Sequence, residues 1–237
     1  MNAILLTGTI DPSKFNNTST ALIDVNERLK QYCVSIQRWI EKSKFEKIVF
    51  IENSGYDFDY KIYKDLAKKK NKQFEYILAK PYFEETIKYG KSYGEIMLIN
   101  EAVDKSILLR NETSFYKCTG RLYIKNCNSI LKENHKCNNL FLGIPSDNWI
   151  ITWFFKVEKD FYNKILRDSY KEVNDHESVS IENIYFRRIH EHRNNVEIFN
   201  KYPNVEGICA GQNIKYHSGF LSTVYKNIKM KTGYFGI

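Results

Sequence analysis

Short apolar runs alternate with helical patterns over residues 3–126, and this alternation constrains the fold more than any other feature of the chain. The predicted strands are residues 3–7, 47–51 and 74–78. The predicted helices are residues 22–40, 60–70 and 93–102. Strands that alternate with helices are typical of βαβ units. The sequence therefore predicts an α/β fold with a mostly parallel, mixed sheet flanked by helices.

The second half of the chain, residues 127–237, is not separated from the first by a linker rich in Pro, Gly or Ser. We therefore predict a single domain over residues 1–237. Residues 149–157 are predicted to form β-structure, and residues 181–192 a helix that Ser180 caps. No run of about 18 apolar residues occurs, so no membrane-spanning helix is predicted.

The composition is basic, with a formal net charge of +8 and a pI of about 9.0. Such a charge favours anionic partners, including phosphorylated small molecules. Acidic side chains are interspersed with the basic ones, so no nucleic-acid partner is expected. The 5 cysteines show no CxxC spacing, and the first residues show no targeting pattern. These features predict a cytoplasmic protein with free thiols.

Three polar segments that contain glycine lie at or near the carboxyl ends of predicted strands: residues 7–9, 53–57 and 90–95. In mostly parallel sheets, ligands bind outside the carboxyl ends of the strands. Any one of these segments alone is typical of an ordinary turn. Together they predict one crevice of the kind that binds nucleotides.

Residues 115–126 are predicted to form a strand that Thr119, Gly120 and Arg121 interrupt. A glycine inside a strand allows a ligand or a second backbone to come close. The arginine guanidinium is a planar, permanently charged donor that suits phosphate. A β-bulge with a solvent-facing arginine is the alternative interpretation.

The polar loop that follows the predicted sheet supplies candidate general bases, namely Asp175, Glu177 and Glu182. Solvated loop carboxylates near a helix N-terminus are the alternative for each of them. Asp57 and Asp59 have the D-x-D spacing with which two carboxylates can hold Mg²⁺ or Mn²⁺.

Four segments occur in an order that resembles bacterial glycosyltransferases with a GT-A-like fold from capsule and lipopolysaccharide biosynthesis clusters: residues 5–9, 52–56, 90–95 and 117–121. Residues 181–186 are similar to a later segment of such proteins. The resemblance implies that residues 1–126 bind a nucleotide-sugar donor. It implies that residues 127–237 bind a glycan or a lipid-linked glycan as the acceptor.

Carried over position by position, the resemblance implies a set of donor-binding residues. They are Thr7, Gly8, Thr9, Asn53, Ser54, Gly55, Tyr56, Asp57, Lys91, Tyr93, Glu95, Thr119 and Gly120. His217, in a predicted loop, is a further candidate for donor binding through phosphate, with a structural histidine as the alternative. In this family a metal-binding D-x-D usually stands where this chain has Thr119, Gly120 and Arg121, and Asp57 lies too early in the chain to replace it. This departure argues against dependence on Mn²⁺ or Mg²⁺, because Arg121 can supply positive charge to the leaving diphosphate.

The activity that the resemblance implies is sugar transfer to a surface glycan of the capsule or lipopolysaccharide type. Asp175 or Glu182 would deprotonate the acceptor hydroxyl, and Arg121 with Lys91 or His217 would stabilise the leaving nucleotide. One rival is a nucleotidyltransferase, although residues 7–12 lack the basic side chains that it would need. The other is a non-enzymatic RNA-binding protein.

The last residues, 223–237, contain three lysines and several aromatic residues but no acidic residue. This pattern predicts peripheral contact with the anionic inner face of a membrane. A solvated C-terminal segment is the alternative.

Overall fold

The computed structural model describes residues 2–15, 23–208, 216 and 220–237, and for Phe220 and Leu221 the backbone alone. The strands of this part of the chain are β1 (Ala3–Gly8), β2 (Lys47–Glu52), β3 (Gln73–Leu78), β4 (Ser114–Thr119), β5 (Tyr123–Ile124), β6 (Leu140–Phe141), β7 (Gly143–Ile144), β8 (Trp149–Ile150), β9 (Phe154–Glu158), β10 (Glu197–Ile198) and β11 (Val205–Glu206).

Seven of these strands form the central sheet, in the order β10-β6-β9-β4-β1-β2-β3. β1 pairs in parallel with both β2 and β4, and β2 pairs in parallel with β3. β10 is parallel to β6, whereas β9 runs antiparallel to both of its neighbours. The mostly parallel, mixed sheet predicted from the sequence is therefore confirmed.

Helices cover both faces of the sheet. They are α1 (Val25–Lys42), α2 (Lys61–Lys69), α3 (Phe83–Tyr89), α4 (Lys91–Lys105), α5 (Ile107–Arg110), α6 (Cys127–Ile130), α7 (Lys159–Phe161), α8 (Ile181–Glu191) and α9 (Phe220–Lys231). α7 continues into a π-helical turn and then a 3₁₀ turn, which together end at Lys171.

The alternation of side chains along β1 builds two cores, one on each face of the sheet. Ile4 and Leu6 pack in the core that α1 covers with Trp39, whereas Leu5 packs in the core that α4 covers with Ile96. Successive residues of a strand point to opposite faces, so a strand that is buried on both faces is apolar throughout. The continuous apolar run of β1 follows from this arrangement.

The ends of two long helices are fixed by local polar contacts that the sequence encodes. The Asp24 carboxylate accepts a hydrogen bond from the backbone N–H of Glu27 at 2.7 Å, at the start of α1. Ser180 and Asn183 form a capping box at the start of α8, which confirms Ser180 as the cap of that helix.

Two elements differ from their prediction. Residues 115–126 are not one interrupted strand: β4 ends at Thr119, and the chain turns so that β5 pairs with β11 in a separate two-stranded sheet. The segment 90–95 is mostly not a loop, because α4 begins at Lys91.

No helix in the described ranges is both long and apolar enough to cross a membrane. Four cysteines carry free thiols, namely Cys33, Cys118, Cys127 and Cys137. Cys209 lies outside the described residues.

Candidate functional site

The carboxyl ends of β1, β2 and β4 lie side by side at one edge of the sheet, with Gly8 opposite Glu52 and Thr7 opposite Thr119. Two neighbouring cavities open at this edge. We call them the first and the second cavity, and together the cleft. They share four lining residues, Lys91, Glu95, Thr119 and Arg121.

The first cavity is open to solvent and spans about 690 Å³ with its mouth included. Most of its walls come from the strand ends and from α1 and α4. The predicted donor-binding residues that line it are Thr7, Gly8, Thr9, Asn53, Lys91, Glu95 and Thr119, and Arg121 lies beside them. The structure therefore brings the segments 7–9, 53–57 and 90–95 to one crevice, each through at least one residue.

A buried carboxylate shapes the loops around the first cavity. Glu52, at the end of β2, accepts hydrogen bonds from the backbone N–H groups of Ile10 at 2.9 Å, Ser54 at 2.8 Å and Gly55 at 2.9 Å. Glu52 is fully buried, so these donors supply the partners that a buried carboxylate requires. Ser54 and Gly55 thus belong to the scaffold of the loop and do not line either cavity.

Gly120 lies where β4 meets the end of β1. Its backbone N–H donates to the carbonyl of Thr7 at 2.8 Å. A Cβ atom at this position would lie 2.7 Å from the same oxygen. The glycine is therefore explained by the close approach of a second backbone, one of the two possibilities that the sequence left open.

Arg121 is 4% exposed although its guanidinium faces the cleft. Its Nη1 atom donates to Oε1 of Gln31 at 2.9 Å, and its guanidinium carbon lies 5.9 Å from the centre of the Tyr32 ring. The Nε atom has no hydrogen-bond partner within the described residues. A buried cation with this few partners is costly, and an anion in the cleft would complete its environment.

A second arginine, Arg28 of α1, also lines the first cavity. Its Nε atom donates to the backbone carbonyls of Thr9 at 3.0 Å and Ile10 at 3.1 Å, which fixes the loop after β1. Burial lowers the pKa of Arg28, and the positive charge of Arg121 acts in the same direction. The two guanidinium groups repel each other across this cavity, which favours an anionic ligand there.

Lys117 is a buried cation on the floor of the cleft, 1% exposed. Its Nζ atom lies 2.5 Å from Oε1 of Glu95 and donates to the carbonyl of Thr152 at 2.9 Å. The same Glu95 oxygen accepts a hydrogen bond from the Thr7 hydroxyl at 2.8 Å. Lys117 and Thr7 therefore fix the Glu95 carboxylate where the two cavities meet.

The second cavity is also open to solvent and spans about 790 Å³ with its mouth included. Glu182, in the first turn of α8, lines it. Oε1 of Glu182 accepts a hydrogen bond from the Thr152 hydroxyl at 2.8 Å. Trp153 and Tyr216 also line this cavity, with ring centres 6.1 Å apart. The cavity thus combines a carboxylate that accepts from a neutral hydroxyl with an aromatic wall, a combination suited to a hydroxyl-bearing ligand.

Asp175 lines neither cavity. Its carboxylate accepts hydrogen bonds from the backbone N–H of Ser92, at 3.0 Å, and from the Ser92 hydroxyl. It therefore caps the N-terminus of α4. Gly90 makes room for it with φ +97°, since a Cβ atom there would lie 2.4 Å from the Asp175 side chain.

Several other predicted residues lie away from the cavity walls: Ser54, Gly55, Tyr56, Asp57, Tyr93 and Gly120. Tyr93 is buried in the core beneath α4. His217 lies outside the described residues. The role of each of these side chains stays a prediction.

Within the described residues, the end of β4 does not offer the donor set of a D-x-D metal site. It presents the Thr119 hydroxyl and the Arg121 guanidinium, whereas Mg²⁺ and Mn²⁺ take carboxylate oxygens. Asp57 and Asp59 are exposed and line neither cavity. Among the described residues, no three His, Cys, Asp or Glu side chains form a cluster that could hold a metal ion.

Among the residues of the cleft that sequence reasoning missed are Lys117, Arg28 and Thr152. Lys117 carried a usable signal, because it is the one charged side chain between Phe115 and Cys118 in an otherwise buried strand. Arg28 and Thr152 carried none, since arginine on a helix and threonine near a strand are common at the surface.

No family model and no curated protein sequence matches the chain. Among solved structures, the glycosyltransferase GlyE of Streptococcus pneumoniae TIGR4 matches with a TM-score of 0.50 and 10% identity, over 84% of this chain and 45% of that one. An active-site mutant of LgtC matches with a TM-score of 0.48 and 8% identity, over 83% of this chain and 72% of that one. A putative glucose-1-phosphate thymidylyltransferase from Bacillus anthracis matches with a TM-score of 0.45 and 12% identity, over 96% and 93%.

The match with GlyE shows that the fold is GT-A-like, as the resemblance implied. This chain spans less than half of the length of GlyE. Its activity, donor and acceptor are therefore matters for proposal.

Proposed function

We propose that this protein is a glycosyltransferase that takes a nucleotide-sugar donor. The observation that carries the proposal is the placement of Arg121, which is buried, shared by both cavities and, within the described part of the chain, without a hydrogen-bond partner for its Nε atom. A diphosphate bound between the cavities would supply the missing acceptors through charge-assisted hydrogen bonds. Arg28 adds positive charge on the same side.

In this proposal the nucleotide occupies the first cavity and the acceptor occupies the second. The acceptor oxygen forms a bond to the anomeric carbon while the bond from that carbon to the diphosphate oxygen breaks. The electron pair of the broken bond stays on the diphosphate, where Arg121 and Lys91 stabilise the charge. The proton of the acceptor hydroxyl passes to Glu182.

Of the three candidate bases, the geometry favours Glu182, since Glu177 is exposed and lines neither cavity. Glu182 lines the second cavity, where it accepts a hydrogen bond from the neutral hydroxyl of Thr152. Asp175 is engaged at the start of α4 and lines neither cavity. A base must lie within reach of the proton that it takes, so the acceptor side of the cleft points to Glu182.

The proposed acceptor is a sugar hydroxyl of a surface glycan, free or lipid-linked. The aromatic wall formed by Trp153 and Tyr216 supports a sugar ring in the second cavity. Assignment to capsule or lipopolysaccharide synthesis rests on the sequence resemblance alone.

The deciding experiment is a thermal-shift panel of UDP-, GDP-, CMP- and dTDP-sugars on the wild type and on Arg121→Ala. At least one donor should stabilise the wild type, and Arg121→Ala should weaken its binding by about tenfold or more. Arg167→Ala is the matched control, because Arg167 pairs with Asp104 outside the cleft.

Two outcomes would overturn the proposal. One is that no donor binds, or that Arg121→Ala binds the donor as tightly as the control does. The other is that nucleoside triphosphate and sugar 1-phosphate react to release pyrophosphate, which would identify a nucleotidyltransferase.

A further inference from the structure

Helix α9 is fixed to the body of the protein by polar and apolar contacts on its inner side. Oδ1 of Asn227 accepts from the backbone N–H of Tyr202 at 2.9 Å, and the Thr223 hydroxyl donates to Asn204 at 2.8 Å. Met230 is buried against the core. These contacts fix the orientation of the helix, so its opposite side faces solvent.

The outward side of α9 is apolar. Val224, Tyr225 and Ile228 are 40%, 58% and 53% exposed, and Tyr234 just after the helix is 43% exposed. Val224 and Tyr225 lie four and three positions before Ile228, and residues with these spacings are neighbours on a helix surface. A surface helix of a globular protein normally turns its polar face to water. We call these four side chains the apolar ridge.

Lysines border the apolar ridge. The Nζ atom of Lys229 lies 4.9 Å from the centre of the Tyr225 ring and 3.9 Å from that of Tyr234. Lys231 is exposed at the end of the helix, and residues 207–237 contain no acidic residue. The surface is therefore both apolar and cationic.

We propose that α9 docks this protein on a bilayer that contains anionic lipids. Acyl chains would cover Val224 and Ile228, and lipid phosphates would meet Lys229 and Lys231, as in interfacial amphipathic helices. A nucleic acid would meet the lysines but gain nothing from the aliphatic side chains. A second copy on a two-fold axis would bring the same lysines together, which is repulsive.

The docking surface lies close in sequence to the acceptor side of the cleft. Tyr216 lines the second cavity, and α9 begins shortly after it, at Phe220. Docking through α9 would therefore hold Tyr216, and with it this wall of the second cavity, close to the membrane surface. This places a lipid-linked acceptor within the class of substrates that the proposed activity could use.

Co-sedimentation with vesicles tests the proposal without donor or acceptor, so its result is independent of the proposed activity. The wild type should sediment with vesicles of equimolar phosphatidylcholine and phosphatidylglycerol and should bind phosphatidylcholine vesicles far more weakly. Lys229→Gln with Lys231→Gln should lower the partition coefficient by about five-fold for each charge removed. Val224→Ser with Ile228→Ser should lower it by about tenfold.

Ile107→Ser is the matched control, because Ile107 is 68% exposed on α5 and lies outside the apolar ridge. It should bind vesicles as the wild type does, and a thermal melt of each variant checks that it is folded. The proposal is overturned if the wild type ignores anionic vesicles, or if folded Val224→Ser with Ile228→Ser binds them unchanged. Loss of a wild-type dimer in the same variant, with no vesicle binding, would assign the ridge to a second copy instead.

Discussion

The Nζ atom of Lys117 lies 2.5 Å from Oε1 of Glu95, and this ion pair stands where the two cavities of the cleft meet. The lysine is almost fully buried, whereas the Glu95 side chain is 26% exposed. The buried partner therefore depends on the carboxylate for its charge balance more than the carboxylate depends on it. This asymmetry makes the pair testable by substituting each side in turn.

Lys117→Met should destabilise the fold by about 1–3 kcal/mol, because it leaves the Glu95 carboxylate without its cation. Water reaches part of that carboxylate, and this limits the loss. Adding Glu95→Gln should recover part of that loss, giving a coupling free energy of about 1 kcal/mol in a double-mutant cycle. Urea unfolding of the four proteins measures both quantities. Strictly additive effects would contradict the importance of the pair.

Lys47→Met is the control for the cleft, because Lys47 pairs with Glu112 at 2.7 Å near the opposite edge of the sheet. It should cost a comparable amount of stability but leave the affinity for the donor unchanged, whereas Lys117→Met should weaken it.

Substitutions of Asp175 and Glu182 should have opposite effects on stability and on transfer rate. Asp175→Ala should lower the free energy of unfolding by about 1 kcal/mol, because it removes the cap of α4, and should leave the rate per folded molecule nearly unchanged. Glu182→Gln keeps an oxygen that can accept from Thr152, so its stability should stay within about 0.5 kcal/mol of wild type. Its transfer rate should fall by about a hundredfold or more.

Rates and unfolding free energies measured on the same preparations test this assignment. A folded Asp175→Ala protein that has lost transfer, beside an active Glu182→Gln protein, would reverse the two roles.

Chelation should leave transfer intact. The end of β4 offers Thr119 and Arg121 in place of carboxylates, and fixed positive charge can stabilise a leaving diphosphate without a metal ion. Initial rates with and without EDTA, followed by added Mn²⁺ or Mg²⁺, measure this. Activity that EDTA abolishes and Mn²⁺ restores would contradict the expectation.

The parts of the fold that the sequence predicts best are those with strong periodicity. β1 and β2 are apolar runs because they are buried in the cores on both faces of the sheet, and α1 has an apolar stripe because one of its sides packs in a single core. Helix α3 was missed because it is short and starts after Tyr82, which adopts a left-handed φ of 47°. β6 and β10 have two residues each, too few for any period to show.

The cleft could be predicted only in part, because some of its residues are distinguished by tertiary contacts alone. Its strand-end segments could be found because parallel strands end at one edge. Asp175 and Glu182 look alike in sequence, and what distinguishes them is tertiary: one carboxylate meets the N-terminus of α4 and the other meets the second cavity. Such differences depend on contacts between residues far apart in the chain.

Gly120→Ala should destabilise the fold by about 1–3 kcal/mol, because the new Cβ would press on the Thr7 carbonyl and disturb its hydrogen bond with residue 120. Gly236→Ala is the control, since its nearest neighbour is a side-chain atom of Pro145 at 3.3 Å. Thermal unfolding of both variants is the measurement. Equal melting temperatures would show that the strand ends can separate without cost.

The acid sensitivity of the fold should depend on Glu172, which binds Arg187 and Arg188 of α8. Burial raises the pKa of Glu172, but hydrogen bonds from the two arginines outweigh burial and hold the pKa below its ordinary value. A carboxyl group whose pKa is depressed in the folded state stabilises the fold above its unfolded pKa. That stabilisation is lost as the pH falls through the folded value.

Glu172→Gln should therefore be less stable than wild type at neutral pH by about 1 kcal/mol or less, since the side chain is partly exposed. The difference should begin to shrink as the pH falls below the unfolded pKa of about 4.3, and it should vanish once the pH has fallen through the lower folded value. Urea unfolding across this pH range measures the effect, with Asp168→Asn as the control because its pair with Lys171 is exposed on both sides. Curves for Glu172→Gln and wild type that stay parallel down to low pH would show that this contact does not hold α8, and with it Glu182, in place.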